Sequence, residues 1–135
     1  MKLIVSAYRE GSSPSMNAIR TASLIRRLQG ENLSTELCIG VYKGVREISI
    51  IATGMESAAR GVDIAKLVLN EFYQTSVYLE VHGAGASVYK DKQQRVTVDG
   101  LGKELTTIKA TWEGPLPDSY TETLDGRMIV AKEGL

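Results

Sequence analysis

The stretch C-I-G-V-Y-K-G-V-R-E-I-S-I-I-A-T, from Cys38 to Thr53, decides how the rest of the chain is arranged. Two runs rich in β-forming residues meet at Lys43-Gly44. Leu37, Ile39 and Val41 alternate on the first, and Ile48, Ile50 and Ala52 on the second, the period of a half-buried strand. A two-residue loop at Lys43-Gly44 sets Tyr42 opposite Val45, Val41 opposite Arg46 and Gly40 opposite Glu47. Directly opposed residues of an antiparallel pair share a face, and diagonal partners lie about 7–8 Å apart. Tyr42 and Glu47 therefore project from one side, within reach of one small ligand, and the apolar set projects from the other. Gly44 suits the positive φ of such a turn but Lys43 does not, which leaves a bulged loop open.

The flanking segments complete an α+β pattern. Lys2 to Tyr8 reads as a buried strand. Ser13-Pro14 offers an N-cap and a proline at the first helical position, for a helix to about Gln29 that Gly30 stops. Ala18, Ala22, Ile25 and Leu28 form its apolar stripe, while Arg20, Arg26 and Arg27 leave the core. Thr53-Gly-Met-Glu56 has capping-box spacing and predicts a second helix to about Tyr73, with Ala58, Val62, Ala65, Leu69 and Phe72 inward. Thr75 to His82 is a further strand, and Gly83 and Gly85 turn into Ala86–Tyr89.

The order β-α-β-β-α-β is that of the ferredoxin-like class, with both helices on one face of the sheet. The other face would carry Ser6, Tyr8, Cys38, Tyr42, Glu47, Ser49, Tyr78, Glu80 and His82. That set is too polar for an ordinary second core and too apolar for plain surface. It suits a wet interface between subunits with ligand sites in it. Residues 1–90 are expected to form this core. Residues 91–135 read as an appended C-terminal β extension of the same single domain. Strands are expected at Arg95–Val98, Leu105–Trp112 and Met128–Ala131, with a loop at Pro115 and Pro117 and a hairpin turn at Asp125-Gly126.

Composition narrows the classes of function. A chain of 135 residues fits one domain with a real core. Sixteen basic and sixteen acidic residues cancel, so charge makes no case for nucleic acid or an anionic membrane. The lone Cys38 fits a reducing compartment, and no apolar run approaches a membrane span. A soluble cytoplasmic protein is expected. One His and one Cys argue against a structural zinc or iron–sulfur site. There is no P-loop, no dinucleotide-binding glycine pattern and no nucleophile elbow. The candidates left are Glu47, Tyr42, His82, Arg9 and Trp112, and pattern alone divides each between a structural role and a site.

Several short motifs carry a family resemblance: Val5-Ser6-Ala7-Tyr8-Arg9, Met16-Asn17, Gly40-Val41-Tyr42-Lys43, Asn70-Glu71-Phe72-Tyr73-Gln74 and His82-Gly83-Ala84-Gly85. In order and approximate spacing the chain resembles the bacteriophage S-adenosylmethionine lyases, formerly called hydrolases. Gly114-Pro-Leu, Tyr120-Thr121 and Asp125-Gly126-Arg127 resemble the family's end. The link between the Tyr and the catalytic Glu is shorter here than in the founding member, so Glu47 takes that role across a gap.

The resemblance implies a ferredoxin-like subunit in a PII-like homotrimer with interfacial active sites. It also implies cleavage of S-adenosylmethionine to 5′-methylthioadenosine and homoserine lactone, with no metal or cofactor. The substrate's own carboxylate attacks its γ-carbon, and the sulfonium leaves as a neutral thioether. With both reacting groups in the substrate, the protein mainly orients it, an effect worth on the order of 7–11 kcal/mol. Glu47 is expected to grip the α-ammonium and Tyr42 to bond the amino-acid portion. Ser6, Tyr8, Arg9, His82 and Gly83 are expected to contact the adenosine or the carboxylate. The alternatives are a hydrolase with Glu47 as general base and a PII-like binding module without catalysis. An acylphosphatase-like enzyme is a weaker third, since its phosphate loop is absent after the first strand.

Overall fold

Hydrogen-bonding between neighbouring strands, rather than the helices, organises this chain. The computed structural model describes residues 1–74, 76–81, 84–90, 96–109 and 119–131. In order these form β1 (Lys2–Val5), α1 (Pro14–Gly30), β2 (Ser34–Tyr42), β3 (Val45–Thr53), α2 (Ala58–Glu71), β4 (Ser76–Val81), β5 (Ala84–Lys90), β6 (Val96–Lys109), β7 (Ser119–Thr123) and β8 (Arg127–Ala131). The protein is α+β, with an antiparallel sheet and two helices.

The first four strands lie side by side as β4-β1-β3-β2. The chain then continues round: β2 pairs with β7, β7 with β8, β8 with β6, β6 with β5, and β5 with β4, closing a barrel. Edge strands carry unpaired N–H and C=O groups, and here the edges at β2 and β4 are covered by β7 and β5. The later strands thus complete the ring instead of hanging from one side of it. β6 runs unbroken through Gly100 and Gly102, where a break between two strands was expected.

Both helices pack on one face. Leu3, Val5, Ala7, Ile50, Ala52, Val77 and Leu79 meet Leu24, Leu28, Ile64, Ala65, Val68 and Leu69 there, and all are buried. The inside of an eight-stranded ring holds side chains or one small ligand but no helix, so the helix-bearing face is its outside. The alternate residues point inward, and Ile4, Cys38, Ile51 and Ile129 form a small apolar cluster there. The face that the sequence leaves open for a neighbouring subunit is therefore turned toward the chain's own β7 and β8.

Helix boundaries follow local chemistry. Ser13 caps α1, its hydroxyl accepting from Met16 N at 3.2 Å, with Pro14 next as expected. The expected capping box at Thr53 is not used. β3 runs to Thr53, Gly54 turns with φ +107°, and Ser57 caps α2 by accepting from Arg60 N at 3.1 Å. Arg27 bonds Glu71 and Glu31, and Arg60 bonds Glu31, so ion pairs tie the C-terminal end of α1 to both ends of α2. The buried face of α1 is Asn17, Thr21, Leu24 and Leu28, leaving Ala18 and Ala22 exposed. Of the expected stripe only Leu28 is fully buried, because a methyl group makes no strong demand for burial and the buried face is set by Leu24 and Leu28.

Candidate functional site

The β2–β3 hairpin has the register expected of it: Tyr42↔Val45, Val41↔Arg46, Gly40↔Glu47 and Ile39↔Ile48. Lys43 (φ 49°) and Gly44 (φ 79°) both take positive φ, so the turn is an unbulged two-residue loop. Glu47 is consequently on the inward face, half-buried, with Ser49 and Ile51 on the same strand. Tyr42 occupies the register position diagonal to Glu47, and its side chain lies outside the described residues.

A row of residues runs across the sheet at the level of Glu47. Gly40 is opposite Glu47, Thr121 is opposite Gly40, and Ile129 is opposite Thr121. The next row holds Ser49, Cys38 and Thr123. Ser49, Thr121 and Thr123 are buried, as is Ser6 beyond the last paired residue of β1. The inward face near the hairpin end thus carries hydroxyls and one carboxyl, while the other side there carries Ile39, Val41, Tyr120 and Met128 with the Arg46–Glu122 ion pair. The lack of a side chain at Gly40 leaves room for the Ser49 hydroxyl: a Cβ there would sit 2.7 Å from Ser49 Oγ.

Burial pushes the Glu47 carboxyl above the usual carboxylate range, and the nearby Ser6 hydroxyl pulls it partly back. Among the described residues Glu47 forms no ion pair. A half-buried carboxylate of this kind is stabilised by any cation delivered to it. Cys38 is different. It is fully buried, and burial, with Glu36 adding, pushes its thiol up to about 12, so it is packing and not a nucleophile.

Ser6 connects Glu47 to the loop after β1. Its Oγ donates to Ile48 O at 3.3 Å and accepts from Tyr8 N at 3.0 Å. Every backbone polar group of Tyr8 and Arg9 is held: Gln74 Nε2 donates to Tyr8 O (3.0 Å), Arg9 N donates to Asn17 Oδ1 (3.0 Å), and Ser12 N donates to Arg9 O (3.1 Å). Tyr8 is part-exposed and Arg9 exposed, so a fixed backbone presents two side chains. The anchors Asn17 and Gln74 belong to expected motifs, but their role was not read from sequence. The available signal was the polar pair Asn17 and Thr21, one turn apart on what proves to be the buried face of α1.

Arg9 also lies over the ring of Tyr73, its guanidinium carbon 5.1 Å from the centroid. Tyr73 follows the last turn of α2, has φ +54°, and is 68% exposed, so its ring buries little. A left-handed backbone costs a residue with a side chain about 1–2 kcal/mol, and an exposed cation–π contact returns about 0.5–1 kcal/mol. Neighbours hold the conformation: Phe72 N bonds Val68 O, and Gln74 Nε2 donates to Phe72 O at 3.1 Å.

The expected site residues thus divide in three. Ser6, Tyr8 and Arg9 are joined through a hydrogen bond and chain continuity, and the Ser6 hydroxyl acts on the Glu47 carboxyl. Tyr42 is placed by register only, and His82 and Gly83 lie outside the described residues. No helix among the described residues is long and apolar enough to cross a membrane. Compared with known proteins, the chain matches no family model and no curated protein.

Proposed function

We propose that this protein is an S-adenosylmethionine lyase that releases 5′-methylthioadenosine and homoserine lactone, with Glu47 as the residue that holds the substrate's α-ammonium. The observation that carries the proposal is the half-buried Glu47 carboxyl, raised by burial and set on a hydroxyl-lined inward face with Ser49 and Thr121. A carboxylate in that position favours a cationic ligand. S-adenosylmethionine carries two positive centres, the ammonium and the sulfonium. The sulfonium charge disappears along the reaction, so a carboxylate held against it would stabilise the ground state and slow cleavage. Held on the ammonium, Glu47 keeps its interaction through the transition state and leaves the substrate carboxylate free to attack the γ-carbon. The carbon–sulfur bond breaks as the lactone carbon–oxygen bond forms, and the pair of electrons stays on sulfur. Tyr42 is assigned to the amino-acid portion, and Ser6, Tyr8, Arg9, His82 and Gly83 to the rest of the substrate.

The strand order β4-β1-β3-β2 supports a ferredoxin-like core within the closed sheet. The PII-like homotrimer with interfacial sites comes with the resemblance and belongs to the same proposal. So does action in the host cytoplasm, where removal of S-adenosylmethionine would starve restriction–modification during phage infection. Light scattering tests the trimer separately from the chemistry.

Incubating the pure protein with S-adenosylmethionine and following methylthioadenosine tests the activity. Early sampling in ¹⁸O-labelled water separates lyase from hydrolase, because only direct hydrolysis yields labelled homoserine before lactone. Binding by calorimetry with no product formed would replace the lyase by a PII-like metabolite-binding protein.

A further inference from the structure

We infer that Tyr73 and Arg9 form a stacking platform for a purine base. This inference rests on the lyase proposal for the identity of the base's owner and adds the place where its adenine is held. Three observations converge on the pair. First, Tyr73 adopts a left-handed backbone conformation that bulky residues rarely take, yet its ring is mostly exposed. Packing does not explain a tyrosine there, and a glycine would fit the same turn without strain. The exposed contact with Arg9 returns less than the strain costs. Strain retained at an exposed side chain is characteristic of a residue kept for a ligand.

Second, the pair is preorganised from both sides. Arg9 is carried by a dipeptide whose backbone groups are bonded by Ser6, Gln74, Asn17 and Ser12. Gln74 bonds both Tyr8 O and Phe72 O, so one side chain spans the two loops that present Arg9 and Tyr73. Little conformational freedom remains to be lost on binding. Third, the platform is continuous with the carboxyl site. Arg9 is three residues from Ser6, whose hydroxyl donates to the carbonyl of Ile48, the residue after Glu47, and three residues span at most about 10 Å. A ligand with an ammonium at one end and a base at the other can bridge that interval. A guanidinium over a phenol ring offers a flat, polarisable, positively charged surface, which suits the π-face of a purine.

The test uses 5′-methylthioadenosine as probe, since it carries the base but neither the ammonium nor the sulfonium. Wild type should bind it, measured by calorimetry. Tyr73→Gly should bind it at least about tenfold more weakly while melting at the same or a higher temperature, because glycine relieves the backbone. Tyr73→Phe should stay within about threefold of wild type, since the ring face is kept. Wild-type affinity in Tyr73→Gly, or no binding to wild type, would overturn the platform. Turnover of S-adenosylmethionine is measured alongside. Turnover with an unchanged KM in Tyr73→Gly removes the platform and leaves the lyase. Loss of probe binding in Tyr73→Gly without any wild-type turnover removes the lyase and leaves the platform.

Discussion

The Ser49 hydroxyl fills the space that a side chain on Gly40 would need, with 2.7 Å between Ser49 Oγ and the position of a Cβ at residue 40. Gly40 is the cross-strand partner of Glu47, so this contact is beside the carboxyl. Gly40→Ala is expected to turn the Ser49 hydroxyl away and crowd the row at Glu47. Turnover of S-adenosylmethionine should fall at least about tenfold, with destabilisation within the roughly 1–3 kcal/mol typical of added core methyls. Kinetics and a denaturant titration on one preparation check it, and wild-type turnover would show that this row is not part of the site.

Glu47→Gln separates function from stability. Because burial raises the folded-state pKa of Glu47, the neutral form fits the fold better than the charged one. The contribution is present below the unfolded pKa and is lost as pH rises through the folded pKa. At neutral pH the ionised carboxylate therefore opposes folding, and an amide relieves it. The variant should melt at the same or a higher temperature than wild type, yet lose on the order of 100-fold or more in kcat/KM, the loss expected when a desolvated charge pair is broken. Full activity in the variant would remove Glu47 from the mechanism.

The same shift sets a pH profile. Holding an ammonium needs ionised Glu47, so the acid limb of kcat/KM should fall at a pH above the ordinary glutamate range. The Ser6 hydroxyl lowers this pKa, so Ser6→Ala should move the limb further toward neutral. A limb that moves the other way, or does not move, contradicts the assigned action of Ser6 on Glu47.

Gly61 is a control far from this chemistry. A Cβ there would meet Leu79 Cδ1 at 2.8 Å and Cδ2 at 3.3 Å, and Leu79 is buried in the core with nowhere to move. Alanine gains about 0.5–1 kcal/mol of helix propensity but adds about 1–3 kcal/mol of overpacking. Net destabilisation of about 1 kcal/mol is expected by urea denaturation, with KM unchanged.

Cys38 should be silent in the native state. A thiol-specific reagent is expected to label it only on unfolding, at the rate of global opening. Burial pushes its thiol up to about 12, above the ordinary thiol range, so its stabilising contribution is complete below that ordinary range and lost as pH rises toward 12. Stability followed over that alkaline window checks the sign, and rapid native labelling would contradict the burial.

Local pattern made the order of elements through β4, the Ser13-Pro14 start and the register of the β2–β3 hairpin legible in the sequence. A period of two, a cap and a two-residue turn are properties of neighbouring residues, and they survive into the structure at Gly40↔Glu47 and Tyr42↔Val45. Only the tertiary structure decided which side of α1 is buried: Asn17 and Thr21 go inward, and Asn17 accepts from Arg9 N of the preceding loop. Pairings distant in sequence were decided there too: β7 with β2, and Gln74 with Tyr8. Each of these depends on partners distant in sequence, and no local preference of the residues involved encodes which partner arrives.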